Sequence, residues 1–155
     1  MPKHSESRVM PYSAEQMYAL IADVERYPEF LPWCAGCRIR RRTANPGGEI
    51  VDADLIISFK LFRERFGSRV TLQPEAGKID VQYLDGPFKY LVNNWQFAEV
   101  SSSECGVQFH VDFEFKSRTL EAIVGVMFNE AMRRIVRAFE ERAHQLYGDH
   151  RQTAN

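Results

Sequence analysis

The chain has 155 residues, a length that favours one compact domain whose core needs no disulfide or metal staple. Hydrophobic residues make up 45% and charged residues 26%, which excludes the low-hydrophobicity, high-charge composition of a disordered chain. Twenty Lys and Arg stand against 21 Asp and Glu, so there is no bulk positive field to collect nucleic acid, and DNA is not expected as a partner.

The opening Met-Pro-Lys-His-Ser-Glu-Ser has neither an apolar core nor an Arg-rich amphipathic pattern, so no export or organelle leader is expected. After a first strand, Ser13-Ala14-Glu15-Gln16 has the form of a capping box. Met17, Leu20, Ile21 and Val24 follow at helical spacing, which predicts a helix over 14–24. Between Tyr27 and Trp33, four large apolar side chains crowd around Pro28 and Pro32, predicting a helical turn and a tight loop. From Arg38 to Val111 apolar and polar residues alternate, broken by turn signals at Asn45–Gly48, Pro74–Gly77, Asp85–Pro87 and Ser101–Ser103. This is the pattern of an antiparallel meander. The clearest strand is the last, where Val107, Phe109, Val111, Phe113 and Phe115 share one face. Val51, Ala53, Leu55, Ile57 and Phe59 form a second apolar face, and Phe66, Val70 and Leu72 a third.

After Thr119 the period becomes helical, with Leu120, Ile123, Val124, Met127, Phe128, Ala131, Ile135, Ala138, Phe139 and Leu146 on one stripe. Such a helix is longer than a small sheet needs. The expectation is therefore a break near Gly125, or a segment that caps something other than sheet. Gly148 is the natural stop, closing a single domain over 1–148, with a disordered tail over 149–155. The longest run of apolar residues and Gly, Ala122–Phe128, falls far short of a membrane span. The order predicts an α+β fold: a curved antiparallel sheet of about six to seven strands against a long C-terminal helix. A gap between sheet and helix would be an apolar pocket.

Motifs for chemistry are sparse. Trp33-Cys34-Ala35-Gly36-Cys37 has the form of a redox C-x-x-C, but it follows a Pro-rich loop and precedes a strand, where no helix dipole lowers a thiol pKa; inert thiols are expected. Cys105 and the four His residues show no metal-ligand spacing, so no metal is expected. The arginines at 38, 40, 41, 42, 63, 65 and 69 read as a solvated strand face paired to Glu49, Asp52 or Asp54. The competing reading is a cationic stripe for phosphate, lipid headgroups or RNA. There is no G-x-S-x-G, no H-E-x-x-H and no phosphate-binding Gly loop. Glu64 and Ser68 share the parity of Phe66 and Val70, and Asn93 that of Trp95 and Phe97, which makes them polar candidates for the inside of a pocket; an edge position or a bulge is the blander account of Glu64 and Ser68.

The segment from Ser13 to Tyr18 and from Asp23 to Cys34, with Leu84-Asp85-Gly86-Pro87-Phe88, Trp95-Gln96-Phe97 and the stretch Ala138 to Gly148, resembles the coenzyme Q-binding proteins of the START-like and polyketide cyclase superfamily. The resemblance implies a helix-grip fold and a non-enzymatic carrier or chaperone of ubiquinone or a related polyisoprenoid lipid, supporting respiratory electron transfer. Ubiquinone is then a bound ligand and not a catalytic cofactor. Bacterial relatives described as ribosome-association toxins supply an alternative, translation inhibition through the ribosome, and cyclase or aromatase enzymes supply another. The implied location is the bacterial cytoplasm, with peripheral contact at the inner membrane, where the loop Phe30–Trp33 and Phe88 would dip into the interface. Parity and the matching segments together nominate the ligand-binding residues. Phe30, Leu31, Pro32 and Trp33 are expected at the mouth; Leu55, Ile57, Phe66, Trp95, Phe109, Val111 and Phe113 on the sheet wall; Val124, Met127, Phe128 and Ile135 on the helix.

Overall fold

A strand, a short helix, six consecutive strands and a 30-residue helix follow one another along the chain, as a computed structural model describes it for residues 3–59 and 62–148. The tail expected to be disordered lies outside the described residues. β1 (Lys3–Met10) leads into α1 (Ala14–Ala22), whose start is fixed by the capping box: the Gln16 N–H donates to Ser13 Oγ at 3.1 Å and the Ser13 N–H to Gln16 Oε1 at 3.0 Å. α1 stops two residues short of the predicted end, and a 3₁₀ helix over Val24–Glu29 takes over with Pro28 inside it.

The meander is β2 (Cys34–Asn45), β3 (Gly48–Phe59), β4 (Phe62–Gln73), β5 (Lys78–Asp85), β6 (Phe88–Ser101) and β7 (Glu104–Phe115). Each predicted turn joins two of these strands. β1 returns to pair with β7, giving one antiparallel sheet in the order β1-β7-β6-β5-β4-β3-β2 with β1 and β2 as its edges. Gly86 needs its missing side chain: at φ 138° a Cβ would stand 2.8 Å from the Arg65 carbonyl oxygen, so only glycine lets this turn fold onto β4.

A bulge between Ile39 and Arg41 interrupts the alternation on β2. Arg40 bonds Asp54 and Asp85, Arg65 bonds the same two carboxylates, Arg69 is bidentate to Asp52, and Arg42 meets Glu49 and Glu25. Most of the arginine stripe is thus neutralised by cross-strand carboxylates.

α2 (Arg118–Tyr147) is capped by Ser117, whose hydroxyl accepts from the Leu120 N–H, and ends at Gly148 with φ 75°. It runs unbroken for about 45 Å. The expected break near Gly125 is absent because that glycine faces open space and its propensity cost is only about 1 kcal/mol, too little to interrupt a helix anchored on both sides. The extra length is used as the alternative foresaw, covering space that the sheet does not fill.

Two clusters make the core. One joins α1, the sheet and the C-terminal half of α2 through Met17, Leu20, Ile21, Val51, Phe139 and Ala143. The other joins β4, β6 and β7 to the N-terminal half of α2 through Phe66, Phe88, Phe113, Phe115, Leu120, Phe128 and Met132.

Candidate functional site

The second cluster surrounds a hollow of about 240 Å³ between the sheet and the N-terminal half of α2. Alternation along β3 and β7 turns Ile57, Phe59, Val111, Phe113 and Phe115 toward it, and the helical stripe supplies Leu120, Val124, Met127, Phe128, Ala131, Met132 and Ile135. Phe113, Phe128 and Met132 form its buried depth, while the partly exposed Trp33, Phe59, Phe62 and Met127 lie toward the rim. Phe113 meets Phe128 across the hollow at 5.8 Å between ring centroids. The lining contains one ionisable side chain, Glu64, itself exposed.

Trp33 is held at the rim by its backbone. Its φ of 65° is unusual for a side-chain-bearing residue and costs about 1–2 kcal/mol. The Ser58 N–H donates to its carbonyl at 2.9 Å, and its ring meets Phe59 edge-on at 6.0 Å. The loop is thereby pinned to β3.

Of the nominated residues, Trp33, Ile57, Val111, Phe113, Val124, Met127, Phe128 and Ile135 come together on this hollow. Leu55 and Phe66 pack in the surrounding cluster, Phe66 stacked on Tyr83. Trp95 and Phe109 pack on each other at 4.6 Å and line a separate, smaller hollow of about 50 Å³, which shares Ile135 as a wall. Phe30, Leu31 and Pro32 lie elsewhere, in a shallow groove beside Arg134, Arg137 and Glu141 of α2. The Phe30 ring meets Phe139 edge-on, and the Arg142 guanidinium sits over it at 5.1 Å. The 3₁₀ helix preceding this segment folds it onto the C-terminal half of α2, away from the mouth. Phe88 is 3% exposed within a ring of Tyr83, Phe66, Phe113 and Phe115, so it is not available to dip into a bilayer.

The sequence-based nomination omits Phe59, Phe62, Pro87, Phe88, Leu91, Phe115, Leu120, Ala131 and Met132 from the lining. For Phe59, Phe115, Leu120 and Ala131 the signal was present, since each shares a face with a nominated residue. Leu91 was hidden by the irregularity between Phe88 and Tyr90.

The polar candidates are mostly occupied. Ser68 is buried and its hydroxyl points to the Ala53 carbonyl at 3.4 Å. Asn93 donates to the His110 carbonyl and accepts from Trp95 Nε1 at 3.1 Å, so it braces β6 against β7. Neither lines the larger hollow, which therefore has no converging pair of groups for acid and base work among the described residues. Cys34 and Cys37 both lie on β2 as free thiols. Burial pushes both upward, Cys37 to about 11 with Cys34 adding to the shift, the opposite of an activated thiolate. No three His, Cys, Asp or Glu side chains group as a metal site among the described residues. No helix there is long and apolar enough to cross a membrane.

A long helix gripped by a seven-stranded antiparallel sheet, with an apolar hollow between them, defines a START-like domain, as expected from the sequence. Residues 10–140 match the family described as polyketide cyclase / dehydrase and lipid transport, and the chain belongs to that family. It is 39% identical over 147 residues to the Ribosome association toxin RatA of Escherichia coli strain K12, covering 95% of this chain and 90% of that protein. It is 33% identical over 150 residues to the mitochondrial Coenzyme Q-binding protein COQ10 homolog B of Xenopus laevis, covering 94% of this chain and 59% of that one. Among solved structures, a START superfamily protein from Mycobacterium smegmatis superposes with a TM-score of 0.78 at 23% identity, over 93% of this chain and 98% of the other, and shows the shared fold.

Proposed function

We propose that this protein binds, without chemical turnover, an apolar molecule of the ubiquinone or polyisoprenoid lipid class in the hollow between the sheet and α2. The observation that carries this reading is the lining: seventeen of its eighteen residues are apolar or aromatic, and the one ionisable group lies exposed. Each buried CH₂-sized group contributes about 0.8 kcal/mol, so such walls hold a hydrocarbon with few polar contacts. The volume is just below the roughly 300 Å³ at which small-ligand pockets begin, which suits a substituted ring with a short piece of tail. A longer isoprenoid chain requires α2 to move outward or the tail to leave past the rim. The likeness to a protein named for coenzyme Q binding agrees with this.

In a cell the protein would collect its ligand from the inner membrane and otherwise reside in the cytoplasm, with Trp33, Phe59 and Phe62 as the surface that meets lipid. The test is the ligand itself: an organic extract of gently purified protein, examined by mass spectrometry, is expected to hold a polyprenyl quinone. No lipid at all after purification from quinone-rich cells would contradict the reading. Liposome flotation of the wild type against Trp33→Ser checks the membrane contact, the variant being expected in the protein fraction.

The identity with a ribosome association toxin favours a second reading, in which the domain acts by contact with ribosomal subunits. Under it, two of the exposed arginines without an ion-pair partner among the described residues, Arg38 and Arg63, both on the sheet, are candidate phosphate contacts. Cosedimentation with ribosomal subunits that is lost in Arg38→Ser/Arg63→Ser supports it; a wild type that never cosediments removes it.

A further inference from the structure

Glu64 is out of place in the pattern around it. It lies on the inward face of β4, between Phe62 and Phe66 and opposite Ile57 of β3, where an apolar residue would be expected. Its neighbour Arg65 is committed to Asp54 and Asp85 on the outer face. The α2 residues that line the same hollow, among them Val124, Met127 and Ala131, are apolar. Among the described residues Glu64 has neither a hydrogen-bond nor an ion-pair partner. A carboxylate with no such partner among the described residues stands at the edge of a greasy hollow, where the polar end of a bound amphiphile would come to rest.

A carboxylate only accepts hydrogen bonds. A ligand hydroxyl or N–H directed at it forms a charge-assisted bond, whereas a carbonyl or ether oxygen turns lone pairs toward an anion and must keep water between. We propose that Glu64 makes this site selective for apolar ligands whose polar end donates a hydrogen bond, over ligands of the same shape whose polar end only accepts. Resting on the quinone reading above, this specifies the redox form: the hydroquinone, with its two hydroxyl donors, is held in preference to the quinone, with its two carbonyl acceptors. The protein takes no part in the two-electron, two-proton interconversion and only retains one of its partners.

The experiment is isothermal titration of the full chain with two ligand pairs at one pH. The first pair, 4-hexylphenol and its methyl ether 4-hexylanisole, exchanges the O–H donor for O–CH₃ and does not depend on the quinone reading. The second is ubiquinone-1 and its dithionite-reduced hydroquinone under argon. A hydrogen bond to a charged group, weakened here by exposure, predicts about tenfold tighter binding of the phenol and of the hydroquinone. In Glu64→Gln, whose amide both donates and accepts, each ratio is expected to fall toward one. Equal affinity within either pair for the wild type, or a ratio unchanged in Glu64→Gln, overturns the proposal while leaving lipid binding intact. A phenol preference with no binding of either quinone form supports the selectivity and overturns the quinone reading. Failure of all four ligands to bind overturns both.

Discussion

At the α1 end of the domain Met17 and Ile21, 2% and 1% exposed, border a hollow of only about 50 Å³ and Ala143 is fully buried, while at the other end Phe113, Phe128 and Met132 each keep 8% around one of about 240 Å³. The same sheet and the same helix build both ends, so the difference lies in the side chains between them. Where α2 carries Ala143, it settles against α1, and two tyrosines clamp it there: Tyr147 Oη donates to the Gln16 carbonyl and Tyr12 Oη to the Gly148 carbonyl, both at 2.9 Å. Where α2 faces β7, the rings of Phe113 and Phe115 prop it away from the sheet. One end carries the stability that allows the other to remain hollow, because an empty space forfeits dispersion contacts that a filled one keeps.

The sharpest way to break this comparison is to truncate one residue on each side. Ile21→Ala, in the tighter end, is expected to cost about 3 kcal/mol, and Met127→Ala, in the hollow wall, less than about 1 kcal/mol, because a side chain bordering empty, partly open space loses few contacts. Urea denaturation of both variants reads the difference. Equal losses would mean that the two ends are packed alike. Next in size is Ala131→Phe, which fills the hollow from the helix side. Its ring is expected to weaken binding of ubiquinone-1 at least tenfold while leaving the unfolding free energy from urea denaturation within about 1 kcal/mol of the wild type, the range of substitutions that neither open a cavity nor strain a packed core.

The smallest effect concerns the outer face, which belongs to neither end. The hydrogen bond from Arg69 holds the Asp52 carboxyl below the ordinary aspartate range, and Arg40, with Arg65, does the same for Asp54. A folded-state value below the unfolded one contributes stability that is fully present above the ordinary aspartate pKa of 3.8 and is lost as pH falls through the lower folded value. Asp54→Asn should therefore lower the urea midpoint slightly at pH 7, and by progressively less as the pH falls below 3.8. A gap that persists in acid would show that packing, and not charge, holds these strands.

Much of this architecture was legible because its signals are local. Ser13 and Gln16 define a helix start by their own hydrogen bonds, and the strict alternation from Val107 to Phe115 cannot be satisfied by a helix. The hollow was legible only as a set of shared faces. Parity says which side of a strand a residue is on but not how far along the sheet the packing opens, so Trp95 and Phe109 were grouped with Phe113 although a wall at Ile135 divides them. Phe30 to Pro32 misled for a different reason. An apolar loop beside a pocket resembles a lid, and only the tertiary contact with Phe139 and Arg142 shows that it packs outside. Gly125 illustrates the reverse error, a strong local signal overridden by anchoring at both ends of the helix.

The methionines offer the most direct test, since Met10 and Met17 lie in the tighter cluster, beside the smaller hollow, and Met127 and Met132 line the larger one. In a ¹³C-methyl-methionine NMR titration with ubiquinone-1, the Met127 and Met132 methyl resonances are expected to shift and saturate while those of Met10 and Met17 stay in place. Four unmoved resonances, or shifts led by Met10 and Met17, would contradict a ligand held between the sheet and the first half of α2.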